Sequence, residues 1–124
     1  MAHVSVLVVE DDHDLAEMMS WVLIAAGFDV TTAHNGAAGL AALERLPHSL
    51  VVLDLMMPDV DGVEFRSRQQ QHPVASRTPV LVVSAHHRAE QLASEMQVQG
   101  FLPKPFSPDD LVRAVSQIVN TAGG

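Results

Sequence analysis

The chain has no cysteine. That excludes disulfides, thiolate metal sites and cysteine nucleophiles, and it accords with a cytoplasmic home. Tyrosine is absent as well, and only 4% of the residues are aromatic, so the core must be mostly aliphatic. Basic residues are scarce. Seven Lys and Arg stand against fifteen Asp and Glu, giving a formal net charge of −8. That balance argues against direct binding to nucleic acid or to an anionic membrane, which needs a basic face. No apolar run approaches the roughly 18 residues that a membrane span requires. The opening Met1-Ala2-His3-Val4-Ser5 has neither a basic segment nor a long apolar one, so no signal peptide is read. Nucleotide loops are missing too. No G-x-G-x-x-G follows the first apolar segment, and G-x-x-x-x-G-K-[ST] is not found. There is no internal repeat and no low-complexity stretch.

What is present centres on Leu50-Val51-Val52-Leu53-Asp54-Leu55-Met56-Met57-Pro58. A Val-rich apolar run of this length predicts a strand buried on both faces. A carboxylate inside it is costly unless paired. Pro58 bars the strand from continuing, so Asp54 is expected at the carboxyl end of a central strand. In open α/β sheets ligands gather at that edge. At 124 residues the chain predicts one domain.

The remaining elements alternate. Val4 to Val9 predicts a strand closed by Glu10-Asp11-Asp12. A helix follows, capped by Asp12 or Asp14, with Leu15, Met18, Met19, Val22, Leu23 and Ala26 on its apolar face. Gly27 fits its C′ position, and Trp21 is expected to be partly buried. Phe28 to Thr32 predicts a second strand. Asn35 caps a second helix carrying Ala37, Leu40 and Leu43 inward and ending before Pro47. A third helix spans about Val63 to His72, although after Phe65 it is polar all round. Pro79 to Val83 predicts a strand ending at Ser84. Ala89, Leu92, Ala93 and Met96 mark a fourth helix, and Gly100 to Leu102 a fifth strand. Ser107-Pro108-Asp109-Asp110 starts the last helix, with Ser as N-cap and Pro at the first turn. Strand and helix thus alternate five times, which implies parallel strands with helices on both faces. Residues 1–120 form the predicted domain, and 121–124 a tail or the start of a linker.

That doubly wound topology brings distant residues to one sheet edge. Glu10, Asp11, Asp54, Ser84 and Lys104 all lie at strand ends. Three carboxylates at one point repel one another, and a hard divalent cation and a lysine relieve the repulsion. Mg²⁺ takes one or two carboxylates and accepts phosphate oxygens. An acid, a metal, an ammonium and a hydroxyl around a space suit a phosphoryl group, whose transfer needs mainly positioning and charge neutralisation.

The segments Val8-Val9-Glu10-Asp11-Asp12, Asp54-Leu55-Met56-Met57-Pro58-Asp59-Val60-Asp61-Gly62, Val83-Ser84-Ala85 and Lys104-Pro105-Phe106 resemble the receiver domain of bacterial two-component response regulators. The match spans essentially the whole chain. The resemblance implies a flavodoxin-like (βα)5 fold with strand order 2-1-3-4-5. It implies a signalling switch in the cytoplasm rather than an enzyme, with Asp54 accepting a phosphoryl group from a sensor histidine kinase or phosphotransfer protein. Asp11, Asp54 and the Met56 carbonyl would hold Mg²⁺, with Glu10 acting through water. Ser84 and Lys104 would take phosphoryl oxygens, and Lys104–Pro105 is expected to be cis. Ser84 and Phe101 would be the switch pair that reshapes the surface of the fourth helix, fifth strand and fifth helix. That surface would control an output domain or downstream protein, with homodimerisation on activation also compatible. Neither nucleic acid nor membrane is an expected partner of this domain.

Several positions depart from the commoner family pattern. Phe101 replaces a frequent tyrosine, Glu10 is longer than the frequent aspartate, and Pro103 removes a backbone donor. Gln97-Val98-Gln99-Gly100 is unusual before the fifth strand. Met56 and His86 flank the path of a hydrolytic water, and Met56 cannot orient one, so slow self-dephosphorylation is expected. Two other functions compete: a phosphorylation-independent pseudo-receiver that acts as an interaction module, and a small enzyme or nucleotide binder on the same scaffold. The histidines show no His-x₃-His pair, and adjacent His86 and His87 on a helix would point apart, so no dedicated histidine metal site is expected. Asp109, Asp110, Glu90 and Glu95 read as a solvated face.

Overall fold

The computed structural model describes residues 4–123. Five strands, β1 (Ser5–Val9), β2 (Asp29–Ala33), β3 (Leu50–Asp54), β4 (Val80–Ser84) and β5 (Gly100–Pro103), alternate with five helices. These are α1 (His13–Ala25), α2 (Gly36–Arg45), α3 (Gly62–Gln71), α4 (Ala89–Glu95) and α5 (Pro108–Gly123). A single 3₁₀ turn, Ala75–Arg77, precedes β4. All strand pairs are parallel, in the order β2-β1-β3-β4-β5. This is the expected doubly wound, flavodoxin-like arrangement.

The central strands are buried on both faces because every residue in them is apolar up to their last position. Alternation divides their side chains between two cores. Leu7, Val9, Val51, Leu53 and Val82 meet Leu40 and Leu43 of α2, Phe65 of α3, Ala93 of α4 and Met96 at its C-cap. Val6, Val8, Leu50, Val52, Leu81 and Val83 meet Met19 and Leu23 of α1 and Leu111, Val115 and Ile118 of α5.

The helix starts follow their sequence signals. Asp12, Asn35 and Asp61 each accept a backbone N–H three residues on, at 3.1, 2.8 and 2.9 Å. Ser107 and Asp110 cap each other's backbone reciprocally at 3.1 and 3.2 Å, a capping box. Gly27 closes α1 with φ of +99°, a conformation that glycine adopts freely.

Some expectations fail for geometric reasons. Trp21 is 67% exposed, because it lies across α1 from Ala16, Met19 and Leu23. Ala26 and Ala37 are also exposed. In α2 Leu40 and Leu43 face inward as expected, and Gly36 and Gly39 join them in place of Ala37. A Cβ on Gly39 would stand 2.7 Å from Val9 Cγ2, so glycine sets how closely α2 lies on the sheet. His86 and His87 lie in the loop before α4 rather than on a helix, and their rings stack at 4.6 Å. The helix α5 runs on through Gly123, over residues 121–123 where the sequence suggested a tail, and residue 124 lies outside the described residues. Pro103 is accommodated as the last residue of the edge strand β5, and Lys104 N–H takes up the bond to the Ser84 carbonyl at 2.9 Å.

The third helix hides its pattern. Its buried residues include Arg66 and Gln69 as well as Phe65. Arg66 donates to the carbonyls of Met96 and Gln97 at 3.1 and 2.8 Å and to Gln69 Oε1 at 2.9 Å. Gln69 Nε2 in turn donates to the carbonyls of Ala75 and Thr78 at 3.0 and 2.8 Å. These two side chains replace an apolar stripe and satisfy carbonyls of the neighbouring loops. They also hold the unusual segment before β5, where Gln97 has φ of +56°.

Candidate functional site

The register fixes which residues meet. Val9 pairs with Leu53 and with Ala33, Asp54 with Val83, and Ser84 with Pro103. Glu10, Asp54, Ser84 and Lys104 therefore emerge side by side at the carboxyl edge. Asp11 is exposed at the rim, while Glu10, Asp54 and Ser84 are buried.

Lys104, the single lysine of the chain, lies between the two buried acids. Its Nζ is 2.8 Å from Glu10 Oε1 and 3.7 Å from Asp54 Oδ1. Glu10 is only 1% exposed, and its second oxygen accepts the Asp12 N–H at 3.2 Å. One ammonium thus serves two carboxylates, which leaves a deficit of positive charge. Asp54 shows it. Burial first, and then the neighbouring Glu10 carboxylate, push its carboxyl up to about 7 from 3.8, against the opposing pull of Lys104 and the Met56 N–H. The Met56 N–H reaches Asp54 Oδ1 at 3.2 Å.

Each of Glu10, Asp11 and Asp54 offers an oxygen within 4.8 Å of the others. Among the described residues no other group of three or more His, Asp or Glu side chains converges so closely. Three hard oxygen donors with excess negative charge fit a divalent cation such as Mg²⁺ better than a softer metal.

The remaining predicted residues surround this cluster. Ser84 Oγ accepts the His86 N–H at 3.0 Å, so its own proton is left to donate elsewhere. Ser84 therefore caps the turn after β4 rather than α4 itself, whose N-cap is Arg88 without a side-chain bond. The Met56 side chain is 54% exposed beside the acids. His86 is half-buried, and its Nδ1 accepts the Arg88 N–H at 3.1 Å. Phe101 is half-buried, with a groove of about 350 Å³ on its α5 side and one of about 200 Å³ on its α4 side. The Lys104–Pro105 bond is cis, as expected.

One contributor escaped the sequence reading. Asp59, which the sequence marked only as part of the motif after Asp54, accepts the N–H groups of Gly36 and Ala37 at 3.0 and 3.1 Å. Those bonds hold its carboxyl below the usual range. They pin the loop after Asp54 to the start of α2. The signal was a second acid beside Asp61, which alone was needed to cap α3.

Comparison with known proteins agrees with this geometry. The model of the response regulator receiver domain matches residues 6–116. A 14.6 kDa protein of Leptolyngbya boryana is 34% identical over 119 residues, which are 94% of this chain and 91% of that protein. The transcriptional regulatory protein CpxR homolog of Haemophilus influenzae is 38% identical over 119 residues, covering 91% of this chain but 49% of that regulator. The chain thus spans about half the length of this curated regulator. Among solved structures, the chemotaxis response regulator CheY4 of Vibrio cholerae superposes with a TM-score of 0.87 at 28% identity, covering 94% of this chain and 99% of CheY4. With a family model covering most of the sequence and the same fold in its relatives, the chain belongs to the response regulator receiver domains of two-component systems.

Proposed function

We propose that Asp54 is the phosphoacceptor of a Mg²⁺-dependent switch. The observation that carries this reading is the buried Asp54 carboxylate at the strand edge, 3.7 Å from the ammonium of Lys104 and clustered with Glu10 and Asp11. The donor would be a phosphohistidine of a sensor kinase or phosphotransfer protein. An Asp54 carboxylate oxygen attacks phosphorus, the N–P bond breaks, and the departing imidazole takes a proton. Asp11, Asp54 and the Met56 carbonyl would hold Mg²⁺, with Glu10 acting through water. The bound ion would supply charge neutralisation to the phosphoryl oxygens. Lys104 then transfers part of its pairing from Asp54 to a phosphoryl oxygen, and the Ser84 hydroxyl donates to another. Movement of Ser84 leaves room behind it, and Phe101 has open grooves on either side in which to turn. The surface of α4, β5 and α5 would carry the signal to an output domain, a downstream protein or a second copy.

Intact mass after incubation with acetyl phosphate tests the reading. One phosphoryl adduct should form with Mg²⁺, vanish with EDTA, and fail to form on Asp54→Ala. Absence of any adduct with Mg²⁺ present would leave a pseudo-receiver in its place.

The same assay measures the lifetime of the adduct. Met56 presents a thioether to the path of an in-line water, and a thioether is a weak acceptor. Met56→Asn should therefore speed hydrolysis, on the order of tenfold if one hydrogen bond to that water contributes about 1.4 kcal/mol in the transition state. An unchanged decay rate would assign the lifetime to His86 or to the backbone instead.

A further inference from the structure

The groups placed around the cation come from two loops, residues 10–12 after β1 and residues 55–61 after β3. A third segment, residues 33–37 where β2 turns into α2, touches both. On one side the Glu10 N–H bonds the Ala33 carbonyl at 3.0 Å. His34 Nδ1 donates to the Glu10 carbonyl at 3.3 Å, since a carbonyl only accepts. The His34 ring also stacks on His13, the first residue of α1, with centroids 3.9 Å apart. On the other side Asp59 grips the start of α2 with both oxygens. Its Oδ1 accepts the Gly36 N–H at 3.0 Å and its Oδ2 the Ala37 N–H at 3.1 Å. Asn35 serves the next donor, the Ala38 N–H, at 2.8 Å. The first N–H groups of a helix have no partner within it, and the helix dipole favours a carboxylate there. Val60 backs the contact. It is buried, and a Cβ on Gly36 would stand 2.7 Å from Val60 Cβ, so glycine lets the two segments approach this closely.

We propose that Asp59 is a positioning residue of the cation site. Through residues 33–37 it sets the spacing between the loop that carries Glu10 and Asp11 and the loop that carries the Met56 carbonyl. It touches no cation and no phosphoryl group itself, and its role rests on the cation site proposed above. The ladder between β1 and β3 stops at Val9 and Leu53. Past it, the second loop closes on itself, with the Gly62 N–H on the Leu55 carbonyl at 2.8 Å and the Met56 N–H on Asp54 Oδ1 at 3.2 Å. The Asp59 carboxylate is what carries that loop across to residues 33–37, and those residues hold the Glu10 backbone from the far side. Mg²⁺ demands near-ideal octahedral geometry, so a carbonyl displaced by a fraction of an ångström is a poorer ligand. Outer groups that orient ligands in this way are commonly worth about 10–100-fold in metal affinity.

Mg²⁺ titration by calorimetry, with amide exchange measured in EDTA, tests this on the whole chain. Asp59→Ala should weaken Mg²⁺ binding about tenfold. Without any cation present it should also speed exchange of the Met56 and Gly62 amides. Asp59→Asn loses the same charge but keeps one acceptor oxygen, so it should weaken Mg²⁺ by only about threefold. Asn35→Ala removes the other cap of α2 and leaves the loop after β3 untouched. It should lower the melting temperature and leave Mg²⁺ affinity unchanged. Three outcomes overturn the proposal. Undiminished affinity in Asp59→Ala removes the role. Equal losses in Asp59→Ala and Asp59→Asn assign the effect to charge. A matching loss in Asn35→Ala assigns it to the stability of α2. A wild-type protein that binds no Mg²⁺ overturns the cation site itself and the proposal with it, and that is seen before any variant is compared.

Discussion

Gln69→Leu should lower stability by about 3 kcal/mol and the melting temperature by roughly 12 °C. The residue is fully buried and bonds three groups at once, of which the Ala75 carbonyl also accepts the Thr78 N–H at 3.2 Å. Its amide holds the carbonyls of Ala75 and Thr78, and its oxygen accepts from the Arg66 guanidinium at 2.9 Å. Leucine fills most of the volume and meets none of the three. A buried acceptor left unpaired costs about 1–3 kcal/mol, and a donor on a charged group more. Arg66→Met acts differently. It frees the Met96 and Gln97 carbonyls but also removes a buried charge, so it should cost less than Gln69→Leu. The double variant should fall short of the sum of the two by about 1 kcal/mol, since the shared bond is lost only once. Urea denaturation of the four proteins checks the cycle. Faster amide exchange confined to residues 96–99 in Arg66→Met would show that the guanidinium clamps the loop before β5. A strictly additive cycle would refute the network.

Much of this architecture was legible because its signals are local. Val-rich runs ended by an acid, a serine or a lysine marked both the strands and the edge at which they open. Asp12, Asn35 and Ser107 announced helix starts through short side-chain-to-backbone bonds. The site followed once the strands were parallel, since topology alone brings Glu10, Asp54, Ser84 and Lys104 together. What was hidden depends on neighbours distant in sequence. Arg66 and Gln69 read as a solvated helix face, and only the carbonyls of the loops around β4 and α4 explain why they turn inward. Glycine spoke for close approach in α2 where alanine seemed the packing residue. Asp59 caps a helix 22 positions upstream, a bond no periodicity reveals. The stacking of His13 on His34 likewise follows from the pairing of β1 with β2, and a search for histidines at helical spacing passes over it.

Asp54→Asn should stabilise the domain in EDTA at pH 8, and that gain should fade as the pH falls. The carboxyl of Asp54 is raised to about 7, first by burial and then by the adjoining Glu10 carboxylate. The sign follows from linkage. A folded-state pKa above the unfolded one favours folding fully below the unfolded value, and that contribution is lost as pH rises through the folded value. Between pH 3.8 and 7 the wild-type protein therefore sheds stability from this group, and above 7 it bears the whole cost of a second buried carboxylate sharing one lysine with Glu10. Asparagine keeps the shape and has no proton to lose. A shift of this size corresponds to about 4 kcal/mol at most, and relaxation of the site around the charged form should reduce the observed gain to about 2 kcal/mol. Melting curves of both proteins from pH 4 to pH 8 check it. A gap that stays constant with pH would mean that the asparagine acts by packing and not by charge. Mg²⁺ should close the gap at pH 8 by stabilising the wild type and not the variant, since cation and proton compete for the same carboxylate. For that reason the apparent Mg²⁺ affinity should climb with pH by up to tenfold per unit below 7 and level off above it. The carboxylate that costs the domain stability is the one that, in the function proposed, a cation and then a phosphoryl group would require. The same deficit of positive charge thus makes the resting protein less stable and its site receptive.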